Sequence, residues 1–148
     1  MNNNKELERK LSEMPVFRSS YDAVDFMRAT ALTDFHSRDD RDKMFCCYLD
    51  EHMILLGFNV VALGRVSAGT IDTKQLFKTA QEQGAKHLIL VHIKKEEGLE
   101  FSSSDHLTWS LLRQSCPEFG QELVDLIVFS KQEPTGSVSY REQVRNRR

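Results

Sequence analysis

Two kinds of apolar spacing divide this chain. Short continuous apolar runs predict buried strands, and recurrences every three or four positions predict amphipathic helices. Leu7 and Leu11, set four apart among charges, predict a short helix over residues 5–13 behind the capping candidates Asn2 to Asn4, and Pro15 stops it. Ser19-Ser20 opens a second helix from Tyr21 to about Ala29, with Asp22 three residues after Ser19 and with Tyr21, Val24 and Met27 on its apolar face. Residues 33–42 are dense in charge and without period, so they read as a connecting loop.

The runs Lys43 to Leu49 and Met53 to Leu63, separated by Asp50-Glu51-His52, predict a hairpin. Gly57 marks a bulge in it and Gly64 its end. Asp72 then caps a helix from Thr73 to about Glu82, with Gln75 as capping-box partner and Gly84 as a left-handed stop. Ala85 to Val91 is an interior strand that delivers His92. After a polar loop, Ser102 to Ser104 lead into a helix carrying Leu107, Leu111 and Leu112, which Cys116-Pro117 closes. Glu122 to Phe129 is a further strand, Gly136 to Tyr140 pairs with it after the turn at 133–136, and Arg141 to Arg148, with four arginines, is a mobile tail. The order α, β, β, α, β, α, β, β gives an α/β class, a mixed β-sheet flanked by helices.

Composition narrows the function classes. With 148 residues, 40% hydrophobic and 28% charged, the chain is long enough for one domain with its own core. A net charge of -2 offers no global attraction to nucleic acid or anionic membrane, which disfavours both as partners. No apolar run approaches the roughly 20 residues of a membrane span, and the N-terminus is no signal peptide, so a cytoplasmic protein is expected. The three cysteines, Cys46, Cys47 and Cys116, form no Cys-x-x-Cys pair and read as small core hydrophobes rather than disulfides or thiolate ligands.

Candidate chemistry concentrates between His87 and Trp109. Strand alternation puts His92 and Lys94 on one face, and Ser102 and Asp105 follow at the opening of a helix. The frame is His92-x-Lys94-x7-Ser102-x2-Asp105. With histidine at 94 it would be a hydrolytic zinc pattern, two imidazoles and a carboxylate leaving one coordination place for water. Lys94 stands there instead. Each residue also has a plainer reading: His92 as a strand-end histidine satisfied by backbone, Asp105 as a helix N-terminal acid, Ser102 to Ser104 as N-cap chemistry before oxyanion chemistry. His36, His52 and His87 read as loop or surface residues, and Trp109 as core.

The chain resembles the RadC-like branch of the JAB/MPN (JAMM) metallohydrolase domains over about Val16 to Glu142. The resemblance rests on Ser19-Ser20, Tyr48-Leu49-Asp50, Gly69-Thr70-Ile71-Asp72 before Leu76-Phe77-Lys78, Leu88 to His92, Ser102 with Asp105, Leu123-Val124-Asp125, and Val138-Ser139-Tyr140-Arg141-Glu142. It implies the cytidine-deaminase-like three-layer sandwich. It also divides the chain into an N-terminal extension at 1–15, the domain at 16–142 and a basic tail at 143–148, without the helix-hairpin-helix module of longer RadC-like proteins. In that family two histidines and an aspartate hold zinc, a glutamate on the first strand is general base, and a serine assists the oxyanion. By resemblance His92 and Asp105 are metal positions, Ser102 is the serine, Lys94 replaces the second histidine and Asp42 the glutamate. An ammonium has no lone pair for zinc, and the shorter Asp42 draws a base back from the water. We therefore expect a metal-free pseudo-site in which Lys94 pairs with Asp105, no cofactor, and a binding or scaffold role toward a protein partner, with a homodimer left open. The alternatives are a zinc-dependent peptidase or isopeptidase that recruits His106 or a cysteine, and a repair accessory acting on nucleic acid.

Overall fold

The computed structural model describes residues 15–30, 41–133 and 135–146. The expected helix at 5–13 and most of the loop at 33–42 lie outside these residues. The elements run α1 (Ser20–Thr30), β1 (Lys43–Leu49), β2 (Leu55–Leu63), α2 (Thr73–Gln83), β3 (His87–Lys94), α3 (Ser103–Ser115), β4 (Glu122–Ser130), β5 (Val138–Ser139) and α4 (Tyr140–Asn146). The strands form one five-stranded sheet ordered β2-β1-β3-β4-β5. β3 and β4 are parallel and the other pairs antiparallel, which is the expected mixed sheet.

Strand alternation sorts side chains into two cores. Met44, Cys46 and Tyr48 of β1 pack with Leu88 and Leu90 of β3 against α2 and α3. Phe45, Cys47 and Leu49 pack with Ile89, Val91 and Ile93 against Ala23, Val24 and Met27 of α1. Helices thus cover both faces in three layers. β1 is buried along its whole length because it lies inside the sheet and between both helix layers.

Several local expectations are met. The Tyr48/Leu49 register shift lies opposite Gly57 and Leu55, Gly64 closes β2 at φ +81°, and Gly84 ends α2 at φ +73°. Asp72 caps α2 by accepting the Gln75 amide at 3.1 Å, but the Gln75 side chain turns to Thr79 Oγ1 rather than closing a capping box. Tyr21 is 46% exposed and donates to Glu142 at 2.6 Å, so it is not on the apolar face of α1.

The expected tail needs the largest correction, since residues 140–146 form α4. Its first amides are capped by two groups brought from other elements. The Asp125 carboxylate accepts the Arg141 amide at 3.0 Å, and Ser139 Oγ accepts the Glu142 amide at 3.2 Å. Asp125 has no solvent exposure and also accepts the Leu126 amide at 2.8 Å and the hydroxyls of Ser20 and Ser139. One carboxylate therefore ties α1, β4, β5 and α4 together, and three of the segments that carry the family resemblance meet there. Replacing Asp125 with alanine would strand several buried donors. We expect a loss of about 3 kcal/mol in urea unfolding; a loss below about 1 kcal/mol would show that the network is dispensable.

Candidate functional site

His92 lies near the end of β3 on the face turned toward α3. The chain leaves the sheet after Lys94, and Ser102 restarts it as the N-cap of α3. Ser102 Oγ accepts the Asp105 amide at 3.1 Å, and Asp105 Oδ2 accepts the Ser102 amide at 2.9 Å, a complete capping box. This local bond pattern aims the other carboxylate oxygen under β3, where Asp105 Oδ1 meets His92 Nδ1 at 2.8 Å. Asp105 is 1% exposed and His92 4%. Since an ionised carboxylate only accepts, the proton of this bond sits on His92 Nδ1, which leaves Nε2 as the ring nitrogen turned away from Asp105.

Nε2 is buried and has no hydrogen-bond partner among the described residues. Asp42 approaches it from the start of β1, with Oδ2 at 3.7 Å. Asp42 is itself held in place, because its carbonyl accepts the Gly64 amide at 2.7 Å and its Oδ1 the Lys95 amide at 3.0 Å. Asp42, His92, Lys94 and Ser102 line one cavity of about 480 Å³, together with Arg41, Lys95, Glu96 and Glu97. The fold thus gathers all five residues singled out in the sequence, Asp105 lying just beneath the cavity wall. Sequence reasoning did not find the amide of Lys95 or the lining residue Arg41, since loop contacts leave no periodic signal.

The expected Lys94–Asp105 ion pair is not formed. Lys94 Nζ donates to the Glu100 carbonyl at 2.6 Å, and the Asp105 oxygens are taken by His92 and Ser102. The reason is steric and dielectric: Asp105 is sealed beneath the strand, and an ammonium following it would have to leave water. Burial pushes the Asp105 carboxyl upward, but the hydrogen bond and charge of His92 and the bonds from Ser102 outweigh it, holding the group below the usual carboxylate value.

These residues do not fit a zinc ion. The second histidine position holds a tethered ammonium, the two remaining ligand residues are bonded to each other, and His92 Nε2 with Asp42 supplies only two donors where a catalytic site uses three. Among the described residues no group of three or more His, Cys, Asp or Glu side chains is placed to hold a metal. His106 does not fill the gap, because its Nδ1 is paired with the Tyr140 hydroxyl at 2.8 Å beside Phe101. Nor do the cysteines, which are all buried. Burial lifts the Cys47 thiol to about 12 and Cys116 to about 11, and raises Cys46 well above its usual value, so none is a thiolate near neutral pH.

The sequence model of the RadC-like JAB domain matches residues 17–145. The chain belongs to the RadC-like JAB domain family. It is 27% identical over 104 residues to a UPF0758 protein of Pelodictyon phaeoclathratiforme, covering 70% of this chain and 46% of that protein. A UPF0758 protein of Chlorobium phaeovibrioides is 24% identical over 139 residues, 94% of this chain and 59% of its own. A third, from Pseudomonas fluorescens, is 27% identical over 95 residues, 64% and 42% respectively. The chain spans about half the length of these relatives. Within this RadC-like JAB domain, Asp105, which the resemblance assigns to a metal position, is the hydrogen-bond partner of a single histidine.

The stabilising bonds to Asp105 require its ionised form. Their contribution is complete above the unfolded-state value of about 4 and is lost as pH falls through the lower folded-state value. Asp105→Asn is expected to cost about 2 kcal/mol at pH 7, with the gap to wild type closing as pH drops below about 4. Urea titrations at pH 7, 5 and 3 test this, and a gap that widens with acid would contradict the assignment.

Proposed function

We propose that this RadC-like JAB domain is a pseudo-metallohydrolase, in which the sandwich serves as a binding or scaffold module for a protein partner. The observation that carries the reading is Lys94. It occupies the second histidine position and spends its ammonium on the Glu100 carbonyl, while His92 and Asp105 bond each other rather than a shared ion. With these donors engaged, the residues present would not hold an ion that could polarise a water beside Asp42. Asp42 and Ser102 are vestigial catalytic positions on this reading, and His92 and Asp105 vestigial metal positions. We place the module in a reducing cytoplasm, with which three unpaired thiols agree. No helix among the described residues is long and apolar enough to cross a membrane.

Elemental analysis of protein purified without chelators or metal resins tests the reading. We expect zinc well below one ion per chain, and a gain of zinc affinity in the double variant Lys94→His with Asp42→Glu. Near-stoichiometric zinc in the wild type that disappears in His92→Ala would overturn it in favour of a working peptidase or isopeptidase.

A further inference from the structure

The sheet ends on one side in β2 (Leu55–Leu63) and on the other in β5, which is two residues long and runs directly into α4. An edge strand presents main-chain N–H and C=O groups at strand spacing, and what satisfies such a row is another extended chain. The protein already uses the start of this edge in that way. Residues 15–17 lie antiparallel to it: the Leu55 amide donates to the Pro15 carbonyl and the Phe17 amide to the Met53 carbonyl, both at 2.9 Å, and Val16 is bridged to Ile54. Beyond Leu55, among the described residues, no main-chain hydrogen bond outside the β1 ladder reaches residues 56–62.

Proteins that stay single protect a long edge with charge, proline or bulges. β2 has two register shifts against β1, one near each end, and the regular stretch between them covers residues 57–60. Neither charge nor proline occurs anywhere in β2, in a chain that is 28% charged. The two exposed positions inside the strand, Phe58 and Asn59, fall within the regular stretch. Phe58 is 37% exposed although its ring packs edge-on against Phe26 at 5.3 Å and tilted against Phe45 at 6.0 Å. One side of the ring is thus packed on the α1 layer, and the other is uncovered at the sheet edge.

Such an edge is complementary to itself. Two-fold antiparallel pairing sets the central side chains opposite or diagonal to their own copies, which disfavours a charge and favours an apolar ring. Across residues 57–60 it brings the two Phe58 rings together on the α1 face and opposes no charge. With only two residues in β5 before α4 begins, no comparable edge exists among the described residues for head-to-tail growth, so association closes at two chains. We propose that this protein forms a two-fold dimer in which the β2 strands of two copies pair antiparallel and join their sheets into one. Pairing at this edge does not depend on whether the His92 site turns over.

Sedimentation velocity of the full chain, from micromolar to millimolar concentration, reads the mass directly. A shift from one chain to two is expected, with nothing larger. Asn59→Asp keeps the oxygen that accepts the Tyr48 hydroxyl at 2.8 Å but sets a carboxylate beside its own copy, and Phe58→Lys does the same with a cation. Each should weaken the dimer by about fivefold or more, with circular dichroism checking that the variants fold. Hydrogen exchange of the wild type gives a readout that needs no substitution: amides within residues 56–62 should exchange more slowly where the dimer prevails than at dilution. A single-chain mass at every concentration, species growing beyond two chains, or a dimer equally tight in both folded variants would overturn the proposal. So would exchange in β2 that is independent of concentration, which would put any dimer contact elsewhere.

Discussion

A carboxylate taken out of water must collect hydrogen-bond donors or destabilise the fold, and this domain satisfies that demand twice. Asp125 and Asp105 are almost completely buried, one on each side of the sheet. Each recruits donors from segments far apart in sequence. Asp125 gathers Ser20, Ser139 and the amide of Arg141, which fixes α1 and α4 against β4. Asp105 gathers Ser102 and His92, which fixes the start of α3 against β3. The elements between these two knots are placed largely by apolar packing, and the knots set the register of their ends.

The same constraint explains how the residues that the resemblance assigns to a metal site stay together without a fitting donor set. In a metal-loaded JAB site the ion would satisfy the buried carboxylate. Here a hydrogen bond from His92 does so, and it needs no cation at position 94. Lys94 is then free to follow the outgoing loop and keep its ammonium on the Glu100 carbonyl, which avoids dehydrating it beneath the strand. The fold is preserved because Asp105 keeps its capping role whatever occupies the cavity. Chemistry and architecture are separable at this site: the helix cap is local, whereas metal binding needs three correctly typed donors at once.

Much of the architecture is legible in the amino-acid order. The β1–β2 hairpin follows from two apolar runs around Asp50-Glu51-His52, the end of α2 from Gly84, and the close of α3 from Cys116-Pro117. Less legible was α4, although Ser139 followed three residues later by Glu142 is a capping-box spacing that announces a helix start. The four arginines from Arg141 to Arg148 masked that signal. Tyr21 was misplaced because helical spacing alone cannot tell a core face from one that meets the side of another helix, here through Glu142.

The site divides in the same way. The chain suggests His92, Ser102 and Asp105 by spacing, and Lys94 and Asp42 by departure from a family pattern, and the fold brings the five together. Their bonding was not legible. Which of two acceptors a long ammonium reaches, and whether a carboxylate turns to a lysine or to a histidine, are settled by burial and by the path of the loop through Glu100. The amino-acid sequence alone thus determined the α/β class and the order of elements from α1 to β5, because these depend on periodicity and residue type. Only the tertiary structure decided that Asp105 belongs to His92 and that Asp125 joins four elements, because each contact joins segments that only folding brings together.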